Sequence, residues 1–339
     1  YSSAASDVYK RQVLKQGEVQ GSDVAAHSAG VLDIKTTILP DADALFLTAI
    51  DRYGHELWRW TFPVNKLNQA NEVLSPLSNK VTSTETENEL TVKAKNHTFI
   101  FSKKDGQLKG VSVNNRKISF ANGPRFIGAR RADRSLDQFY NHDDEKAKEK
   151  DRTYSEFPDA AVFTKLDVKE DGGNLIVTAN YKLGNLDKVQ WTINPNGEAV
   201  LDYTYNFSGV VDLMGICFDY PEDQVISKRW LGAGPYRVWQ NRIHGTQYDV
   251  WENDYNDPIP GETFTYPEFK GYFGSVSWMN IRTKEGTISL TNETPDAYIG
   301  VYQPRDGRDR LLYTLPESGI SVLNVIPPVP VSYTHLTLP

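Results

Sequence analysis

The side chains best suited to hold a polar, ring-shaped ligand are concentrated between Trp230 and Trp278. These 49 residues contain four Trp, five Tyr and three Phe, 12 of the chain's 39 aromatics. Interleaved with them are Arg237, Gln240, Asn241, Arg242, His244, Asp249, Glu252, Asn253, Glu262 and Glu268. Aromatic rings stack on the apolar faces of sugars, while carboxylates, amides and guanidinium groups bond the hydroxyls, so this mixture suits a carbohydrate surface. An ordinary aromatic core has a similar composition. The two readings differ over Trp239, Trp251 and Trp278. A cleft would leave at least one indole face exposed beside Arg242 or Glu268, whereas a core would bury all three.

Other chemistries have little footing. The six histidines, His27, His55, His97, His142, His244 and His335, are scattered without the spacing of a metal site. Cys217 is the sole cysteine, which excludes an internal disulfide and a cysteine cluster. No metal is expected. There is no nucleophile elbow or phosphate loop, and Gly232-Ala233-Gly234 lacks the third glycine of a dinucleotide site, so no cofactor is expected either. With 37 basic against 44 acidic residues the formal charge is -7, which offers no general attraction for nucleic acid. Apolar runs such as Ala44 to Ile50 are far shorter than the roughly 18 residues of a membrane span.

The elements that would position the aromatic segment read as strands. Apolar residues alternate with polar ones at Leu32, Ile34 and Ile38; at Trp58, Trp60 and Phe62; and at Leu90, Val92 and Ala94. The pattern repeats at Leu175, Val177, Ala179 and Tyr181, and at Leu201, Tyr203, Tyr205 and Phe207. Asp105-Gly106, Gly172-Gly173, Asn196-Gly197 and Asp306-Gly307 are pairs that tolerate hairpin turns, so the sheets should be antiparallel. An all-β chain is expected. The mixed-charge run Asn141 to Arg152 has no apolar stripe and reads as a solvated loop or short surface helix.

Composition divides the chain. Residues 65–88 are rich in Asn, Ser, Thr and Glu, contain no aromatic residue, and read as a linker. They separate a small module, residues 13–64, sized for a partial immunoglobulin-like β-sandwich, from a large one, residues 89–329. Residues 1–12 and 330–339 match neither module and resemble translated adaptor sequence, so both are set aside as a non-native leader and tail.

The segment Gly232-Ala233-Gly234-Pro235-Tyr236-Arg237-Val238-Trp239-Gln240-Asn241-Arg242 resembles the GxGPxExYxDR segment in the C-terminal domain of β-galactosidases of glycoside hydrolase family 2. Tyr266-Pro267-Glu268-Phe269-Lys270-Gly271 with Val276-Ser277-Trp278 is similar to that domain's PQExGxxxxVxW segment, and Gly123-Pro124 with Arg131-Ala132-Asp133 to its GPxxxxWRAPTDND segment. Arg237 stands where the family usually has Glu, and Asn241 where it has Asp. The resemblance implies an immunoglobulin-like domain followed by a galactose mutarotase-like supersandwich. The family's catalytic glutamates lie on a preceding (β/α)₈ barrel, so the chain is expected to be a non-catalytic fragment of a β-galactosidase-like glycoside hydrolase. Its implied partners are that barrel and a galactoside-like carbohydrate. The residues implied for the cleft rim are Arg131, Asp133, Trp239, Arg242, Glu268 and Trp278; Trp251 joins them on composition. Two alternatives stand beside this reading. One is a mutarotase-like epimerase using His244 and Glu268 as its acid and base; the other is a free-standing carbohydrate-binding module.

Overall fold

A computed structural model describes residues 13–21, 24–37, 39, 42, 44–64, 80–131, 154–157, 160–254, 271–294, 296–301 and 319–328. The largest sheet runs β19 (Tyr298–Val301), β20 (Ile320–Val325), β14 (Leu213–Asp219), β8 (Ala121–Arg131), β6 (Leu108–Val113), β5 (His97–Ser102), β4 (Glu89–Ala94) and β3 (Thr82–Glu85). β7 (Arg116–Ile118) flanks β6, and β9 (Tyr154–Glu156) flanks β8. A second sheet contains β10 (Val162–Asp171), β11 (Asn174–Lys182), β12 (Leu186–Ile193) and β13 (Ala199–Tyr205). A third runs β16 (Gln247–Asp254), β15 (Val225–Gly234), β17 (Trp278–Thr283) and β18 (Gly286–Thr291). Finally, β1 (Ala44–Ile50) and β2 (Glu56–Pro63) form a separate hairpin. The chain is all-β and its neighbouring strands pair antiparallel. Among the described residues the only helical element is the 3-10 turn Glu222–Gln224.

Pleating decides which residues enter the core. Leu90, Val92 and Ala94 of β4, Phe99 and Phe101 of β5, and Leu175, Val177 and Ala179 of β11 meet in one buried cluster with Val189, Trp191 and Ile193 of β12. A second cluster joins Trp230, Met279 and Ile281 of the third sheet to Ile299, Val301 and Ile320 of the large one. Ile216 pairs with Val322, and Phe218 with Ile320, so both clusters lie on the same face of the large sheet. The second and third sheets therefore form one layer over a shared floor.

Among the described residues, a third cluster covers the opposite face of that floor near its centre. Leu213 and Cys217 of β14, Ile127 and Ala129 of β8, and Leu323 of β20 pack there against Val238, Trp239 and Tyr272. Buried on both faces, β14 reads Leu-Met-Gly-Ile-Cys-Phe-Asp with almost no polar alternation, because neither face meets water. Gly215 sits where β14 and β20 come closest, and a Cβ there would lie 2.7 Å from Leu323 Cα.

Several turns anticipated from sequence close the expected hairpins. Asp105-Gly106 links β5 to β6, Gly172-Gly173 links β10 to β11, and Asn196-Gly197 links β12 to β13. Asp306-Gly307 and Asn141 to Arg152 lie outside the described residues. Two expectations need correction. Residues 31–37 carry no strand, and Val31 is 87% exposed. The end of the segment read as linker forms β3, whose Thr82, Ser83, Thr84 and Glu85 pair with β4 as a polar edge strand. Residues 13–64 contribute one hairpin, β1–β2, on which Trp58, Trp60 and Phe62 remain about half exposed.

Replacing Gly215 by alanine should push β20 away from β14 at the point where the floor is covered on both sides. Urea unfolding of Gly215→Ala is expected to show a loss of about 1–3 kcal/mol, the usual range for overpacking. An unchanged midpoint would mean that the two strands can separate freely.

Candidate carbohydrate-contact site

The aromatic segment is built by two stretches that interlock. Beyond β15 the chain passes through the cis bond Gly234-Pro235 and lays Val238 against Tyr272, with Val238 N donating to Tyr272 O at 2.7 Å and Tyr272 N to Val238 O at 2.9 Å. Ala233 N donates to Gly274 O at 2.9 Å, and Ser277 N to Leu231 O at 2.8 Å. Gly271 is required at the crossing because a Cβ there would lie 2.8 Å from Val238 C. A tight turn follows at Trp239–Arg242, where Arg242 N donates to Trp239 O at 2.9 Å, and Gln240 N ties it to Pro327 O at 3.0 Å. Gly123-Pro124, also cis, brings β8 so close to β14 that a Cβ on Gly123 would lie 2.7 Å from Cys217 O.

The three indoles divide between the two readings. Trp239 is 1% exposed and packs edge-on against Tyr272, with ring centroids 5.7 Å apart, so it belongs to the core. Trp251 is half-buried. Its Nε1 donates to Gly232 O at 3.2 Å and Gln247 O at 3.1 Å, and its ring fills the space above Gly234, where a Cβ would lie 2.6 Å from Cγ. Trp278 is also half-buried, with the Arg229 guanidinium 5.5 Å from its ring centroid. Its Nε1 is buried and has no hydrogen-bond partner among the described residues. Arg242 is exposed at the end of its turn, and His244 is exposed just beyond it. Arg131 ends β8, opposite Tyr154 of β9. Asp133 and Glu268 lie outside the described residues.

Below this surface lies a polar group that sequence reading did not single out. Lys228 is 1% exposed, Arg237 4%, Asp249 4% and Asn253 5%. Lys228 pairs with Asn253, Trp230 with Trp251 and Gly232 with Asp249, so β15 and β16 present alternating polar and aromatic rows to the same side. Arg237 holds its guanidinium 5.9 Å from the Phe273 ring centroid. Burying charges is costly unless they are paired, and all four residues are engaged by neighbours. The missed signal was register. Once Trp230 is placed inward, a period of two puts Lys228 inward as well, against its usual preference for solvent.

Two polar groups brace the floor, one tying it to the layer above and one joining β8 to β14 within it. The Glu285 carboxylate accepts from Ser119 N at 3.0 Å, Ser119 Oγ at 2.7 Å and the Tyr220 hydroxyl at 2.8 Å, tying the β17–β18 turn to the strand region before β8. Burial alone would raise the Glu285 carboxyl, but these three donors outweigh it and hold it below its ordinary range. Burial and the Glu285 charge push the Tyr220 hydroxyl up to about 12. On the opposite face Arg125 donates to Asp219 at 2.7 Å, and Asn122 Nδ2 to the same carboxylate at 2.8 Å. Burial pushes the adjacent Cys217 thiol up, so it stays protonated near neutrality.

Together these features define an antiparallel β-sandwich. The chain belongs to the β-galactosidase small chain family, whose model matches residues 93–322. That range, more than half of the chain, runs from β4 into β20 and so takes in the floor and both sheets above it. No curated protein matches the sequence.

Glu285→Ala leaves the Ser119 and Tyr220 donors without their acceptor and is expected to cost about 1–3 kcal/mol in urea unfolding. Because the native Glu285 carboxyl titrates below its ordinary 4.5, its contribution is complete above that value and is lost as pH falls through the lowered one. The variant's stability should therefore change less than the parent's between about pH 5 and pH 3. Tyr220 has the opposite sign: its contribution is complete below pH 10 and disappears as pH rises towards about 12, a loss that Tyr220→Phe should remove.

Proposed function

We propose that the chain is a non-catalytic part of a β-galactosidase-like glycoside hydrolase, and that its third sheet shapes and supports the substrate cleft of a catalytic barrel supplied by the parent enzyme. Membership of the β-galactosidase small chain family supports this reading. The observation that carries it is the interlocking of the two family-like stretches. Val238 and Tyr272 exchange both backbone hydrogen bonds, so the turn bearing Arg242 and the stretch leading into Trp278 at the start of β17 leave one shared base. Rigidity matters because a cleft wall must hold its contacts in place before the sugar arrives.

Within that wall the roles differ. Trp239 supports the turn from below, while Trp251 and Trp278 keep partial exposure and can offer ring surface to a pyranose. Arg242 can donate to hydroxyls beside them. Glu268, Arg131 and Asp133 complete the proposed rim by resemblance to the family's segments. The buried Lys228, Arg237, Asp249 and Asn253 stiffen the base and make no direct contact with substrate in this reading.

Two measurements test it. The purified chain should release no nitrophenol from aryl β-galactosides above buffer controls; turnover that vanishes in Glu268→Gln would instead place the catalytic machinery in this chain. Galactose or lactose at tens of millimolar should perturb tryptophan emission slightly, since half a cleft binds weakly and a millimolar dissociation constant corresponds to only about -4 kcal/mol. Trp278→Ala should abolish that change with the fold intact by circular dichroism. Full retention of the response in Trp278→Ala and in Trp251→Ala would remove the aromatic wall from the proposal.

A further inference from the structure

The turn between β12 and β13 rests on β5 through a histidine with one blocked nitrogen. His97 opens β5, half-buried, and its ring stacks on Phe99 at 6.3 Å and 14°. The ring lies against Gly197, whose φ is +89°; a Cβ there would lie 2.7 Å from His97 Cγ and 2.9 Å from Cε1. His97 Nδ1 is buried and has no hydrogen-bond partner among the described residues.

Within the turn facing it, the oxygens of Asn194 and Glu198 are drawn into the turn's own hydrogen bonds. Asn194 O accepts from Gly197 N at 3.0 Å, and Asn194 Oδ1 from Asn196 N at 3.0 Å and Glu198 N at 3.1 Å. Glu198 O accepts from Asn194 N at 3.0 Å, and Glu198 Oε2 from Asn194 Nδ2 at 2.7 Å. A neutral imidazole fits this setting by keeping its proton on Nε2 and leaving Nδ1 bare. An imidazolium donates from both nitrogens and so needs an acceptor at each, whereas a proton on Nδ1 would point at the glycine with nothing to receive it.

We propose that His97 is an acid-sensitive latch: protonation of its ring drives the β12–β13 turn off β5 and opens that end of the sandwich. The surrounding charges work in the same direction. Lys95 lies in the preceding turn, and Arg116 of β7 shares the His97 row through Val113, so two cations oppose a third. β4 places Ala94 in that row and adds no charge. Glu198, the acidic group of the turn, is held by Asn194. Burial, helped by Lys95, keeps the His97 ring below its ordinary 6.5. The closed state is therefore fully stabilised above pH 6.5 and loses that stabilisation as pH falls through the lowered value. This device stands apart from the sugar-contact proposal, which uses the third sheet.

The test is hydrogen exchange on the full chain at pH 7.5 and pH 5, corrected for intrinsic rates. Residues 194–198 and 97–99 should exchange at least about tenfold faster at the lower pH, while β17 stays protected. His97→Gln, which cannot carry the charge, should hold both segments closed at both values. Equal protection at the two pH values in the parent chain, or the same acceleration in His97→Gln, would overturn the latch. Nuclear magnetic resonance of the parent's imidazole provides a check that needs no variant: a His97 midpoint at or above 6.5 would also overturn it.

Discussion

The burial of β8, β14 and β20 on both faces is the constraint from which the rest of the architecture follows. One side of these strands must seat a layer of two sheets, and the other must be sealed by Val238, Trp239 and Tyr272. A strand covered twice has no face on which to place polar side chains, so β14 is almost wholly apolar and keeps Gly215 where β20 presses closest. The sealing residues come from the two stretches that carry the family-like segments. Those segments are conspicuous in sequence partly because they plug the floor, quite apart from any ligand.

Apart from Ser321 of β20, which is fully buried with no hydrogen-bond partner for its Oγ among the described residues, polar chemistry lies mainly at the margins of this arrangement. Glu285 gathers three donors at the seam between floor and third sheet, and Arg125 and Asp219 bond each other at the rim of the sealed face. Another exception is the β15–β16 pair, which carries Lys228, Asp249 and Asn253 inward together with Trp230 and Trp251. Charges held this deeply are expensive, and a sandwich needing only stability could have used leucine or valine there. Their position directly beneath the proposed rim fits a base whose shape must not relax.

How much of this the sequence disclosed depended on how each strand meets water. Strands with one wet face, such as β4 and β11, announced themselves by alternation, and Gly172-Gly173 marked the turn into β11. Alternation at Leu32, Ile34 and Ile38 had the same look, yet residues 31–37 carry no strand, because pattern records a face and not a partner. β3 was obscured for the opposite reason: an edge strand exposed along its length has no apolar row to reveal. In the site, aromatic density was legible while the fates of Trp239, Trp251 and Trp278 were not. Trp239 is buried by Tyr272, more than 30 residues away in the chain, and such a contact is set by topology.

The shared floor also bears on how the molecule comes apart. The clusters under the second and third sheets look like the cores of two domains, yet the first takes Ile216 and Phe218 from β14, the second takes Ile320 from the adjoining β20, and Val322 packs against both. Loss of either upper sheet would expose one flank of strands that the other still needs. The two halves are thus expected to loosen together, since each is built on positions that the other also uses. In the proposed role of a cleft wall, that coupling would have mechanical value: strain received at one sheet would be shared with the other.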